Sequence, residues 1–500
     1  MRKEFGLYLS FRMFYKLFFQ FIDLHPVHCH FDGIVVGGRR FHPCGANLHV
    51  NQQEVGCAKY VYYLSFAPFI VQLYGHFALC LVRFCEIIAF FLSAYSEILY
   101  IFVLKSHHQS FMERLQATFD KLLRETTSTF HRYMYDRIDW QARVVGLLGP
   151  RGVGKTTMVL QYIKENLPRK ETLYVVAEDL YFSTHTLVDL ADAFARMGGK
   201  YLFIDEIHKY KGWSRELKLI YDYHSELHVF FTGSSVLDIS KGVADLSRRV
   251  LTFEMQGLSY REYLELFHQI ELPIYNLHQI LAQEVVLPRG FLPLQHFTDY
   301  LKRGYYPFRD DNIERYIMQM VNTTLEVDIA QYADLTPATI RKLKRLLAII
   351  AQAAPFKPNF TQLGGQLEVS RNNIADLCAW LEKAGLIGQL RDSTGGIQGL
   401  GRVDKVYLDN PTLIYVLGKE NTEIGTIRET FFFNQMRVAH DIASSLVSDF
   451  LVTDRYTFEV GGKKKKQKQI QNVEQGYVVK DDIETGYGNI IPLWQFGLTY

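Results

Sequence analysis

Eight consecutive residues, Gly149-Pro150-Arg151-Gly152-Val153-Gly154-Lys155-Thr156, satisfy G-x-x-x-x-G-K-[ST] at every position and constrain this chain more than any other feature. Glycine backbones curl where a Cβ would intrude, so their N–H groups can wrap phosphate oxygens. Lys155 then reaches the β- and γ-phosphates, and the Thr156 hydroxyl ligates Mg²⁺. Such a loop needs a buried strand before it and a helix after it. Val144–Leu148 reads as the strand, and Thr157–Asn166 as a helix whose N-terminus points its partial positive charge at phosphate. The expected ligands are ATP and Mg²⁺, with Thr157 completing the phosphate-binding stretch.

Tyr201-Leu202-Phe203-Ile204-Asp205-Glu206 is a second apolar run, ending in two carboxylates. A central parallel strand of this kind aims its C-terminal end at the ligand crevice. Asp205 is then placed for Mg²⁺ and Glu206 for polarising an attacking water as general base. Another strand-like run, Thr172–Val176, lies between the loop and this pair. That spacing indicates the additional-strand class of P-loop cores, with a parallel sheet over about 143–255. His228–Thr232 reads as a further strand, ending in the small polar residues Thr232, Ser234 and Ser235. Thr232 or Ser234 is a candidate partner of the γ-phosphate or of the lytic water. In Asp245-Leu246-Ser247-Arg248-Arg249, an arginine (Arg248 by preference) contacts the γ-phosphate in cis, acts across an oligomer interface, or simply pairs with Asp245.

The strings GPRGVGKTT (149–157), LFIDEIHKYKGWSRELK (202–218), FFTGSS (230–235), DLSRR (245–249) and GLSYREYLEL (257–266) together resemble a family of prokaryotic AAA-type ATPases. In that family the ATPase core is joined to a C-terminal domain of unknown function. The resemblance runs from about Met112 to Tyr500 and implies a cytoplasmic protein that converts ATP and water to ADP and phosphate. Trp213 falls in the family's helix after the acidic pair and is read as a packing residue.

Beyond Gly257 the pattern turns helical. Leu343–Ala351, Thr361–Leu367 and Ser370–Lys383, the last with Ser370 as N-cap, resemble a winged helix-turn-helix within a helical region at 256–418. Arg371, Asn372 and Asn373 open the second helix of that pair, where base edges would be read; packing against protein is the alternative. Residues 419–500 resemble a small α/β restriction-endonuclease-like domain. Asp449 and Glu459 match its carboxylates and Glu429 is an extra one. The lysine does not match: Gly461 stands in its place and Lys463 is the next candidate. Binding rather than nuclease activity is the expectation.

The first 111 residues differ from the rest. They hold five of the six cysteines (all but Cys378) and none of the four tryptophans. Tyr60–Val82 contains no Asp, Glu, Lys or Arg, and about 20 apolar residues suffice to cross a bilayer. A second run, Ile87–Leu104, has Glu97 as its charged interruption. Scattered Cys, His and aromatic residues without caps or period favour an upstream-extended start, with a membrane anchor or an unusual folded extension as the alternatives. Met112 opens an amphipathic helix, Glu113–Leu123, leading in over 112–142. A net charge of +2 argues against a general polyanion coat. The partners in view are an unidentified protein, DNA, a second copy of this chain, and a membrane if residues 1–111 belong to the native protein.

Overall fold

The computed structural model describes residues 83–84, 86–96, 111–233, 246, 248–308, 312–330, 335–353, 355–392, 402–418, 423–466 and 469–500. It divides into two units, 1–102 and 103–500. In the first unit the described residues are helical and expose Phe90, Phe91 and Leu92. No helix among the described residues is long and apolar enough to cross a membrane. The run Tyr60–Val82 lies outside the described residues, as do Ser234, Ser235, Asp245 and Ser247.

The second unit begins with helix α1 (111–125). Five strands follow: β1 (Val144–Leu148), β2 (Thr172–Val176), β3 (Tyr201–Asp205), β4 (His228–Thr232) and β5 (Leu251–Glu254). They lie in the order β2-β3-β4-β1-β5, all parallel. Strand β4 thus separates the loop-bearing β1 from the acidic β3. The fully buried VVGLL of β1 is what a strand covered on both faces requires. A Cβ on Gly146 would stand 2.6 Å from the Phe231 ring of β4, so the glycine lets that ring lie over β1.

Helix α2 (Lys155–Asn166) follows β1, α3 (Leu187–Arg196) follows β2, and α4 (Trp213–Tyr223) follows β3. Trp140 stacks on Tyr162 of α2 at 3.7 Å and on Phe230 of β4 at 5.0 Å, pinning the lead-in to the sheet. Trp213 is buried with its ring 5.6 Å from Phe231, a packing role. Thr186 and Asp189 form a reciprocal capping box at the start of α3. Thr186→Ala leaves an amide of the first turn without its acceptor. We expect a loss of about 1 kcal/mol, measured by urea unfolding.

The C-terminal half contains α5 (Tyr260–His268), α6 (Leu277–Leu281), α7 (Leu294–Arg303), and α8 (Ile313–Thr323), which runs on into a π-helical turn, Thr324–Asp328. Next come α9 (Pro337–Ala353), α10 (Phe360–Leu367) and α11 (Arg371–Lys383), the last capped by Ser370 Oγ on Asn373 N at 3.2 Å. An antiparallel hairpin of β6 (Ile387–Arg391) and β7 (Val403–Leu408) follows. Helices α12 (Pro411–Gly418) and α13 (Ile424–Met436) lead to a mixed sheet. It is built from β8 (Ile442–Ser444), β9 (Phe450–Val452), β10 (Tyr456–Gly461), β11 (Gly476–Lys480) and β12 (Ile490–Pro492), in the order β12-β11-β10-β9-β8.

Most buried residues between Tyr260 and Leu498 form one cluster that includes Phe431, Phe432 and Phe496, while Ile470, Val478 and Ile490 form a small separate one. A second cluster surrounds the parallel sheet and takes in Tyr500, whose ring lies 4.7 Å from Tyr133. The Tyr500 carbonyl accepts from Ser259 Oγ at 2.7 Å and Arg261 Nε at 3.0 Å. The last residues described therefore bind the two halves together.

Candidate functional site

The expected phosphate-binding residues form one loop between β1 and α2. Gly149 has φ 147° and Gly154 φ 96°, backbone conformations that side chains rarely tolerate. A Cβ on Gly149 would overlap the Met255 carbonyl, so the residue that follows β5 presses directly on the loop. Gly154 precedes α2, leaving the first-turn amides of that helix without intrahelical acceptors. Val153 is fully buried and anchors the loop; Pro150 is buried against Gly385, and Thr157 is exposed.

Lys155 is buried, and its ammonium donates to the carbonyls of Gly149 (2.9 Å) and Pro150 (2.8 Å). Burial lowers its pKa to about 8, against the opposing pull of Glu206 and Asp205. Asp205, also buried, accepts from three hydroxyls. Thr156 Oγ1 lies 2.7 Å away, Tyr174 OH 2.6 Å, and Thr232 Oγ1 is in close contact. The Glu206 amide donates to Thr232 Oγ1 at 3.2 Å. Side chains from α2, β2 and β4 thus meet at the one carboxylate that ends β3. The hydroxyl of Thr156 and the carboxylate of Asp205 are hard oxygen donors, the chemistry Mg²⁺ prefers, so the residues present fit that ion.

Glu206 has φ 53°, a left-handed conformation uncommon for this residue type, as a side chain aimed by strain at a site would have. Its carboxylate is partly exposed, 3.8 Å from Arg151 Nη2 and 3.6 Å from His208 Nε2. Burial pulls the His208 pKa down to about 4, so this imidazole is neutral near pH 7.

Several residues at the site carry no local sequence signal. Arg132, buried, donates to Glu262 at 3.0 Å, to the carbonyls of Gln256 and Gly257, and to that of Val153 inside the loop. Tyr174 and Asp328 are likewise brought in by the fold. Ser259 and Glu262 do have a signal: S-x-x-E is a capping-box pattern, and the box forms at the start of α5.

Arg248 lies apart from the loop. Residues 248–249 precede β5, and in an all-parallel sheet that end is opposite the one carrying the loop. Arg248 is exposed at that end, while Arg249 pairs with Asp222 at 3.3 Å.

The expected second site also changes. Lys463 is exposed on the turn after β10. The lysine among the carboxylates is instead Lys405 of β7, 3.1 Å from Glu429 and 3.2 Å from Asp449. The Tyr407 hydroxyl donates to Glu429 at 2.8 Å, and the Val460 amide to Asp449 at 3.0 Å. Burial raises the Glu429 pKa, as does the neighbouring Asp449. Glu459 is buried against Ser448 and Lys465. Among the described residues no group of three or more His, Cys, Asp or Glu side chains could hold a metal ion. The cluster clasps the β6–β7 hairpin to the mixed sheet through an internal cation. Lys405→Ala, which leaves two half-buried carboxylates facing each other, should cost about 1–3 kcal/mol in denaturant unfolding.

Residues 141–264 match the family model of an AAA domain, and residues 294–423 match that of a domain of unknown function. The chain is 26% identical over 268 residues to an uncharacterized protein of Methanocaldococcus jannaschii. That match takes in 48% of this chain and 55% of the relative, so the chain spans about half the length of the curated relative it matches. Among solved structures it is similar to a Walker-type ATPase of Pyrococcus abyssi. Identity there is 13% and the TM-score 0.35, over 59% of this chain and 99% of that one. It is similar also to the S. cerevisiae Hsp104–ADP complex, at 16% identity and TM-score 0.25, over 53% of this chain and 41% of that one. The parallel sheet and the family match together mark an AAA-type P-loop domain at the front of the second unit.

Proposed function

We propose that this chain is a Mg²⁺-dependent ATPase that hydrolyses ATP to ADP and phosphate at the carboxyl ends of β1, β3 and β4. The observation that carries this reading is the meeting of Thr156, Thr232 and Asp205 beside a buried Lys155 and a strained Glu206. Gly149–Thr157 would cradle the phosphates through backbone amides, and Lys155 would turn its ammonium from the two loop carbonyls to the β- and γ-phosphates. Thr156 and Asp205 would hold the ion, which when bound neutralises phosphate charge and organises the oxygens for in-line displacement. Glu206 would orient the attacking water and accept its proton. Thr232 fixes the Glu206 backbone through its hydroxyl and is the candidate γ-phosphate sensor. Arg248, exposed at the far end of the sheet, would serve a nucleotide only if that nucleotide were bound by a second copy of the chain. Hydrolysis would then alter the affinity of the C-terminal half for a protein partner.

A second reading is a nucleotide-gated DNA-binding switch with little turnover. Its support is local: Arg371, Asn372 and Asn373 are all exposed at the N-terminus of α11, in a helix–helix–hairpin order of winged-helix type. DNA affinity would then fall steeply with salt and weaken in Arg371→Ala. The test of the first reading is phosphate release by the full chain with Mg²⁺, with EDTA, and with duplex DNA. Turnover lost with EDTA supports the ATPase. Nucleotide binding without turnover in every condition, together with salt-steep DNA binding, supports the switch.

A further inference from the structure

The third residue of the phosphate loop is tied to a helix far along the chain. Arg151 Nε and Nη2 donate to the two carboxylate oxygens of Asp328, at 3.2 and 3.1 Å. Lys209, three residues beyond Glu206, donates to the same carboxylate at 3.0 Å. The Asp328 side chain is 2% exposed, and two cations meet its carboxylate there, the pairing that a buried charge requires. Arg151 also stands 3.8 Å from Glu206, which makes Glu206 the next carboxylate in its reach. Asp328 closes the π-helical turn that continues α8, a kind of turn that is rare and recurs at functional positions. The same helix places Met320 within 3.3 Å of where a Cβ on Gly152 would stand.

We propose that Asp328 is a positioning residue for hydrolysis: its forked ion pair holds the Arg151 guanidinium back from direct hydrogen bonding to Glu206 and ties the phosphate loop to α8. The inference rests on the ATPase reading for the role of Glu206. A bidentate guanidinium–carboxylate pair is stronger and more directional than a single contact at longer range. When Asp328 is replaced, Arg151 turns to Glu206, and a carboxylate held by a guanidinium no longer lies where it would orient the attacking water. Displacement of α8 by a molecule bound to the C-terminal half has the same effect, so that half gains control of the site without touching nucleotide.

The test uses the full chain and two readouts. Asp328→Asn should lower kcat by about tenfold or more, while the affinity for ATP changes by less than about threefold. Adding Arg151→Ala to it should raise kcat at least about fivefold above Asp328→Asn alone, because the misdirected guanidinium is gone. A double variant no faster than the single one overturns the proposal, since a purely structural loss is not repaired by a second deletion. Arg151→Lys keeps the charge without the fork, and covers the case in which Asp328→Asn does not fold. Its kcat should fall at unchanged ATP affinity; an unchanged kcat overturns the proposal. The second readout is amide hydrogen exchange across 313–330 with ADP as the probe. Binding of ADP should change exchange there in the wild type and not in Asp328→Asn; the same response in both overturns the tie to α8. If the wild-type chain shows no turnover, the ATPase reading fails on its own, and the ADP exchange comparison alone decides the tie.

Discussion

Lys155→Ala is expected to reduce ATP turnover on the order of 10²–10³-fold, the usual loss when one donor is removed from a site where charge develops. Its signature should separate function from folding. The ammonium is buried and bonded to two loop carbonyls, and burial disfavours its charge. Removing it relieves that desolvation, so the nucleotide-free melting temperature should hold or rise. The loss should appear instead in ligand stabilisation. At a hundredfold excess over Kd, nucleotide adds about 2.7 kcal/mol to a wild-type protein. Most of that increment should vanish in Lys155→Ala, as read by thermal shift with and without ADP.

Glu206→Gln should show the opposite division. The amide keeps the size and the left-handed backbone of Glu206, so stability should stay within about 0.5 kcal/mol. Nucleotide affinity should be retained, because the carboxylate is not a phosphate ligand in this account. The loss falls on kcat, by about 10²–10⁴-fold, the range for removing a general base. Single-turnover phosphate release beside equilibrium binding of ATP separates the two terms.

The legible and illegible parts of this chain divide by how far apart in sequence the cooperating residues lie. The phosphate loop and the Asp205-Glu206 pair are contiguous strings at the ends of buried strands, and pattern plus polarity locates them. The β1–β4 strands follow from short apolar runs, and the additional-strand class from their spacing; the strand order appears only in the structure. Arg151 meets Asp328 across 177 residues and Arg132 meets Glu262 across 130, and no local signal pairs them. Which of its three expected roles Arg248 has is not legible in sequence, since that depends on strand direction, which puts residues 248–249 at the end of the sheet opposite the loop. At the second site a fixed spacing after Glu459 pointed to Lys463. The turn instead brings Lys465 to Glu459, and a separate hairpin supplies Lys405 to Glu429 and Asp449.

The most direct test of the account is phosphate release from Mg²⁺-ATP by the full-length wild-type chain and Glu206→Gln, at concentrations where both are shown to bind ATP. The account predicts steady release by the wild type and release lower by at least about 10²-fold in the variant at comparable occupancy. Equal release by the two chains would contradict it, because the water would then be activated by some group other than the carboxylate at the end of β3.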